Sequence, residues 1–265
     1  MKTLRITKAD LNEYNEYAAS RDLDFDGHIE IAASLGCVKV RGFISAAGCL
    51  GIEAGSGINA DLGIKAGLGI KAGLGIEAGW GIEAGLGIEA GWGIEAGWGI
   101  KAGSGIEAGS GIKAGWGIEA GWGIKAGSSI EAGSGIEAGS GIEAGWGIKA
   151  GEGIKAGWGI EAGSGIEAGS GIEAGEGIKA GEGIKAGWGI EAGEGIKAGR
   201  SIRCKAQLAA KLRIFAGLCS WNLPKPDEQV IECAELVEGT VCFGELRFLT
   251  ASAPIAEPTE GEDAE

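Results

Sequence analysis

An isoleucine stands at every sixth position from Ile52 to Ile196, twenty-five times without a miss. Six matches neither the 3.6-residue period of a helix nor the heptad of a coiled coil. The repeated unit is Ile-(Glu/Lys)-Ala-Gly-X-Gly, which suits a three-residue strand followed by a turn. In such a strand Ile and Ala, two apart, share one face, and the charged residue between them faces water. The Gly-X-Gly is expected to supply a corner, because glycine reaches positive φ without a Cβ penalty. One unit buries too little apolar surface to stand alone, so successive coils must stack and merge their Ile and Ala into one interior column. The predicted fold is all-β: a single-stranded β-solenoid, or parallel β-helix, of hexapeptide repeats with backbone hydrogen bonds running along the rod.

Other origins for so much glycine fail. The chain has 56 glycines in 265 residues, against an average usage of about 7%. Collagen needs glycine at every third position with abundant proline, and only four prolines are present. A flexible linker has no use for a strict isoleucine register. The charged position then chooses the coil length, since stacked neighbours lie about 4.8 Å apart and like charges repel there. An 18-residue coil places Glu95, Lys113, Glu131, Lys149, Glu167 and Lys185 in one alternating column. A 12-residue coil would instead stack Glu83, Glu95, Glu107, Glu119, Glu131 and Glu143. Three units per coil, giving a triangular section, is therefore favoured.

The chain divides by composition into residues 1–50, 51–203, 204–250 and 251–265. The first segment reads as an N-terminal cap with helical and irregular parts: Thr7 and Asp10 form a capping box that would open a short amphipathic helix carrying Leu11, Tyr14 and Tyr17. Alternating strands follow at Ile29 and Ile31 and at Val38 and Val40, read as irregular first coils. Residues 51–203 are the solenoid, with Asn59, Asp61, Ser129 and Ser201 as corner variants. Residues 204–250 should form a C-terminal β cap with a small core of its own, using strands at Lys211–Phe215, Val230–Cys233 and Thr240–Leu249 and a loop at Pro224 and Pro226. The acidic stretch Ala251–Glu265 is expected to be a disordered tail.

Charge and residue types narrow the function. The formal charge is −14, of which residues 51–200 carry −8 with 19 acidic and 11 basic groups. Direct nucleic-acid binding wants a basic face and is not expected. No apolar run is long enough for a signal peptide or a membrane span, so a cytoplasmic protein without membrane contact is expected. The six cysteines (Cys37, Cys49, Cys204, Cys219, Cys233, Cys242) show no CxxC pair and read as buried free thiols, with no metal and no cofactor. The one histidine, His28, lies outside the regular repeats and reads as structural. The recurring Glu beside Lys is what a solvated ladder requires, so no catalytic set emerges and the chain is read as not an enzyme.

Information in the rod is concentrated at X. It holds eight Trp, eight Ser, four Leu, four Glu and one Arg. The tryptophans Trp80, Trp92, Trp98, Trp116, Trp122, Trp146, Trp158 and Trp188 are the candidate partner-binding residues, because indole is enriched in interface hot spots and costly to expose uncovered. With an 18-residue coil Trp80, Trp98 and Trp116 stack along one edge as an aromatic stripe. The bland alternative is that the indoles pack on one another and stiffen the corners.

The run Ile-Glu-Ala-Gly-Trp-Gly, at Ile76–Gly81 and again at Ile88–Gly93, resembles the repeats of bacterial and phage β-solenoid proteins, both hexapeptide β-helices and polymer-forming bactofilin-like proteins. The resemblance implies architecture. The expectation drawn from rigid shape, acidic surface and periodic Trp is a non-enzymatic scaffold that binds a protein partner, of phage or mobile-element kind, occluding or assembling a host complex. Competing expectations are a DNA mimic that inhibits a nucleic-acid-binding protein, a self-assembling filament, and a homo-oligomer formed through the Trp-rich edge.

Overall fold

A computed structural model describes residues 1–219 and 223–249. The chain is a parallel β-solenoid. From Ile64 onward each Ile-(Glu/Lys)-Ala triplet is one strand, and three strands complete an 18-residue coil: Ile82 stacks on Ile64 and Ile100 on Ile82. The three faces begin at Ile64–Ala66, Ile70–Ala72 and Ile76–Ala78 and are called the first, second and third face below. The alternating column from Glu95 to Lys185 is present on the third face.

Within every triplet the outer two residues are buried and the middle one exposed. The isoleucines are about 1% exposed and the alanines nearly as little, and they merge into one core from Ile6 to Cys233. At roughly 1.5–3 kcal/mol per buried Ile side chain, this column is the main force holding the rod together. The hydrogen bonds run between coils: Ile82 N–H donates to Gly99 C=O at 3.0 Å, and Gly97 N–H to Ala78 C=O at 3.0 Å.

The corner glycines have a different cause from the one the sequence suggests. No described glycine between Gly57 and Gly199 has positive φ. What demands glycine is close approach. A Cβ on the first corner glycine would meet the carbonyl oxygen of the coil before it, at 1.9 Å for Gly115 against Gly97. A Cβ on the second would meet its neighbour at 3.4 Å, as at Gly117 against Gly135. In the 18-residue coils only this second place admits a side chain, and it is where Ser129 and Ser201 stand; Asp61 takes the first place, where the coil is 20 residues long. Asn59 is not a corner residue; it lies in the charged ladder, where its Nδ2 donates to Glu77 Oε2 at 2.8 Å.

The register of Ile52 also differs from the reading of the repeat. Leu50 stacks on Ile70, which places Ile52 over Ala72 rather than over an isoleucine. The coils here are 20 residues long, as Ile44 over Ile64 shows. Two extra residues sit in the corner between Ile52 and Ile58, so their six-residue spacing is a coincidence. That corner is closed by Ser56, which is 0% exposed. Its Oγ donates to Ala32 C=O at 2.7 Å and accepts from Leu35 N–H at 2.9 Å.

At the N-terminus Thr7 and Asp10 do interact, the carboxylate accepting Thr7 N–H at 2.8 Å and its hydroxyl at 2.9 Å. They close a single 3-10 turn, Lys8–Asp10, instead of opening an amphipathic helix. Leu11 and Tyr17 meet in an antiparallel bridge, and Tyr14 is exposed. The reason is local: Asn12 Oδ1 accepts both Tyr14 N–H and Glu16 N–H, at 2.9 and 3.0 Å, and Asn15 has φ 63°. Asn side chains of this kind compete with the helix for backbone donors.

At the other end Gln207–Ala216 is one ten-residue strand that rounds a corner, carrying Leu208 over Ile190 and Ile214 over Ile196. Lys211 stands in the first corner place there, and the chain runs through it as continuous strand. Strands Val230–Cys233, Glu235–Phe243 and Glu245–Phe248 continue the stack, with a break at Gly244. Leu236, Val241 and Leu246 pack against the main core, so this end extends the rod's interior rather than building a second one. The tail expected at Ala251–Glu265 lies outside the described residues. The cysteines are not uniformly buried: Cys204, Cys219 and Cys233 are, but Cys37 and Cys242 are exposed. Among the described residues no helix is long and apolar enough to cross a membrane.

Candidate interaction surface

From Leu62 onward every X residue sits at a corner and donates its N–H to the corner carbonyl one coil before, as Trp98 to Trp80 and Trp116 to Trp98, both at 2.8 Å. The ladder fixes the corner Cα atoms above one another, so identical side chains in one column are brought into contact. Trp80 and Trp98 are stacked, with ring centroids 5.6 Å apart and planes 11° from parallel. Trp98 and Trp116 repeat this at 5.9 Å and 14°. Phe43 closes the upper end of the stack edge-on to Trp80 at 5.5 Å. The indoles remain 45% to 65% exposed despite the stacking.

The other five candidate tryptophans are not brought together. Trp188 shares the column of Trp116, but Ser134, Glu152 and Ser170 intervene. Trp122 and Trp158 lie on a second corner separated by Ser140, and Trp92 and Trp146 on the third, separated by Ser110 and Ser128. All five are exposed. Phe43 was missed by sequence reasoning because it precedes Ile44 in a 20-residue coil. Counting back by 18 from Trp80 leads to Leu62, not to Phe43.

The stripe borders a shallow trough along the first face. One wall is aromatic, Phe43, Trp80, Trp98 and Trp116; the opposite wall is the ladder from Lys65 to Glu191. Its floor is bare backbone, because the second corner glycine has no side chain and the isoleucine points inward. The ladder on this face reads Lys65, Glu83, Lys101, Glu119, Glu137, Lys155, Glu173, Glu191. Lys65 pairs with Glu83 at 3.3 Å, Lys101 with Glu119 at 2.8 Å, and Lys155 with Glu173 at 3.1 Å. The partner carboxylates raise the pKa of Lys101 and Lys155, chiefly through these hydrogen bonds. Glu137 stacks on Glu119 and Glu191 on Glu173; the first pair lies between Lys101 and Lys155, and the second has Lys155 on one side only. The pairs are more than half exposed and each adds little stability; their effect is on the field above the trough.

His28 is structural in position: its Nδ1 accepts Cys49 N–H at 3.0 Å, tying two coils together. Among the described residues no group of three or more His, Cys, Asp or Glu is placed to hold a metal. The architecture defines a parallel β-solenoid protein with an aromatic corner stripe. No family model matches the sequence, no curated protein is detectably similar to it, and no solved structure matches. The resemblance to other solenoids thus stands on architecture.

Proposed function

We propose that the chain is a non-enzymatic acidic scaffold that binds a protein partner through the stripe of Phe43, Trp80, Trp98 and Trp116. The observation that carries this reading is that four exposed aromatic side chains are contiguous while all neighbouring columns are broken by Ser or Glu. Covering such a stripe removes a large apolar surface from water, and Trp truncation at an interface commonly costs about 2 kcal/mol or more. The bare floor and the acidic far wall favour an apolar partner surface with a basic rim. DNA mimicry is less well supported, because lysines interrupt every ladder and mimicry wants unbroken negative charge.

The test replaces Trp80, Trp98 and Trp116 together by Ser, a residue already found at this corner in Ser134 and Ser170. A partner captured by the wild-type chain and then purified should bind the variant at least tenfold more weakly. Replacing Trp92, Trp146 and Trp188 by Ser should leave that affinity unchanged. Equal losses in the two variants would defeat the assignment. Sedimentation of the chain alone identifies a second copy as the partner if the wild type self-associates and the stripe variant does not.

A further inference from the structure

Two of the three buried cysteines, Cys204 and Cys233, stand at the ends of adjacent paired strands. On the third face the second buried residue of every triplet is Ala from Ala60 to Ala186, stacked coil upon coil. Cys204 takes the next place, directly after Ala186. Strand Val230–Cys233 follows in parallel register, with Ile202 opposite Ile231 and Arg203 opposite Glu232. The paired register ends there, and Cys204 and Cys233 are the next residues on the two strands, near enough for Cys233 to bear on the Cys204 thiol. They are 2% and 0% exposed, so both side chains enter the core from the same face. Ladder partners lie about 4.8 Å apart, inside the 4.4–6.8 Å window of Cα separations that a disulfide spans.

The geometry points to Cys204 and Cys233 as a redox-sensitive pair that forms a disulfide between the final coils and locks the C-terminal end of the rod. A bridge draws the two Cβ atoms to about 3.8 Å, roughly 1 Å inside the ladder spacing, so the end coil must shift slightly toward the body of the rod. Among the described residues no strand pairing brings two other cysteines together: Cys37 stands opposite Gly57, and Cys37 and Cys242 are exposed. Burial pushes the Cys204 thiol up to about 12, with the nearby Cys233 adding to the effect. Because the thiolate is the reacting form, oxidation proceeds through brief opening of the last coil rather than in the closed state.

The co-reactant is a low-molecular-weight disulfide such as oxidised glutathione. One cysteine thiolate attacks a sulfur of the reagent, whose S–S bond breaks, and one glutathione thiolate leaves. The second cysteine thiolate attacks the protein sulfur of this mixed disulfide and expels the other glutathione. Each cysteine gives up its proton to a departing thiolate, so two cysteines are oxidised and one reagent disulfide is reduced to two thiols. The bond closes the intervening chain, including Gln207–Ala216, into a loop and limits the freedom of the opened end.

The test treats the folded chain with oxidised glutathione, caps remaining thiols, and maps disulfides in a non-reducing digest by mass spectrometry. The expected product is a Cys204–Cys233 linked peptide two hydrogens lighter than its thiol form. Hydrogen exchange of the Val230–Cys233 amides should slow at least tenfold, and a reductant should reverse both changes. Glutathione on exposed Cys37 and Cys242, with Cys204 and Cys233 still capped as separate thiols, would overturn the inference. Cys204→Ala restores the residue found at Ala186 and is expected to fold; if exchange slows in that variant too, the locking assignment is wrong.

Discussion

The rod from Ile64 to Ile196 and the coils before it stack the same kind of core on different terms. In the rod each coil takes 18 residues and each corner is glycine because the coil before it leaves no room for a Cβ. In the early coils the steps are longer, from 20 residues at Ile44 over Ile64 to 25 at Ile6 over Ile31. Their corners are held by individual devices: buried Ser56, His28 bonded to Cys49, and Gly36 at φ +70° with open space around it. In the regular rod glycine thus serves contact between coils alone, whereas the irregular coils use it both ways: for close approach at Gly27, where a Cβ would lie 2.2 Å from Lys2 O, and for positive φ at Gly36 and Gly55.

Four substitutions test that contrast, in falling order of effect. Gly115→Ala sets a Cβ 1.9 Å from a carbonyl oxygen in mid-rod. It should cost about 3 kcal/mol or more and split denaturant unfolding into two transitions, one for each side of the break. Ser56→Ala leaves Ala32 C=O and Leu35 N–H without their partner, an expected loss of about 2 kcal/mol. Hydrogen exchange should show that loss confined to the N-terminal coils. Gly36→Ala meets no atom within 4 Å and suffers only from its positive φ, so about 1 kcal/mol is expected; a larger thermal shift would mean that contact matters here too. Gly117→Ser repeats what the chain already does at Ser129, and its unfolding midpoint should move by less than about 0.5 kcal/mol. If Gly115→Ala and Gly117→Ser behaved alike, the steric account of the corners would fail.

Much of the candidate surface was legible beforehand. Once coil length followed from the charge columns, the stacking of Trp80 on Trp98 on Trp116 was a matter of counting by 18. Phe43 was not legible, because it belongs to a coil of another length. The isolation of Trp122 from Trp158, and of Trp92 from Trp146, follows from the same counting. The helix expected around Leu11, Tyr14 and Tyr17 failed on Asn12, whose side chain claims the donors a helix would need.

What the amino-acid order settled alone was most of what repeats, namely strand, face, coil length and the inside or outside place of each residue, though not why the corner is glycine. A period forces every unit into the same environment, so one unit's chemistry speaks for all. Tertiary structure decided what does not repeat: that Ile52 stacks over Ala72, that Phe43 reaches Trp80, and that the strand ending in Cys233 pairs with the strand ending in Cys204 across a long intervening segment. Loops of unequal length set those registers, and only the stacked coils, seeking to bury one continuous apolar column, determine how much chain each loop takes up.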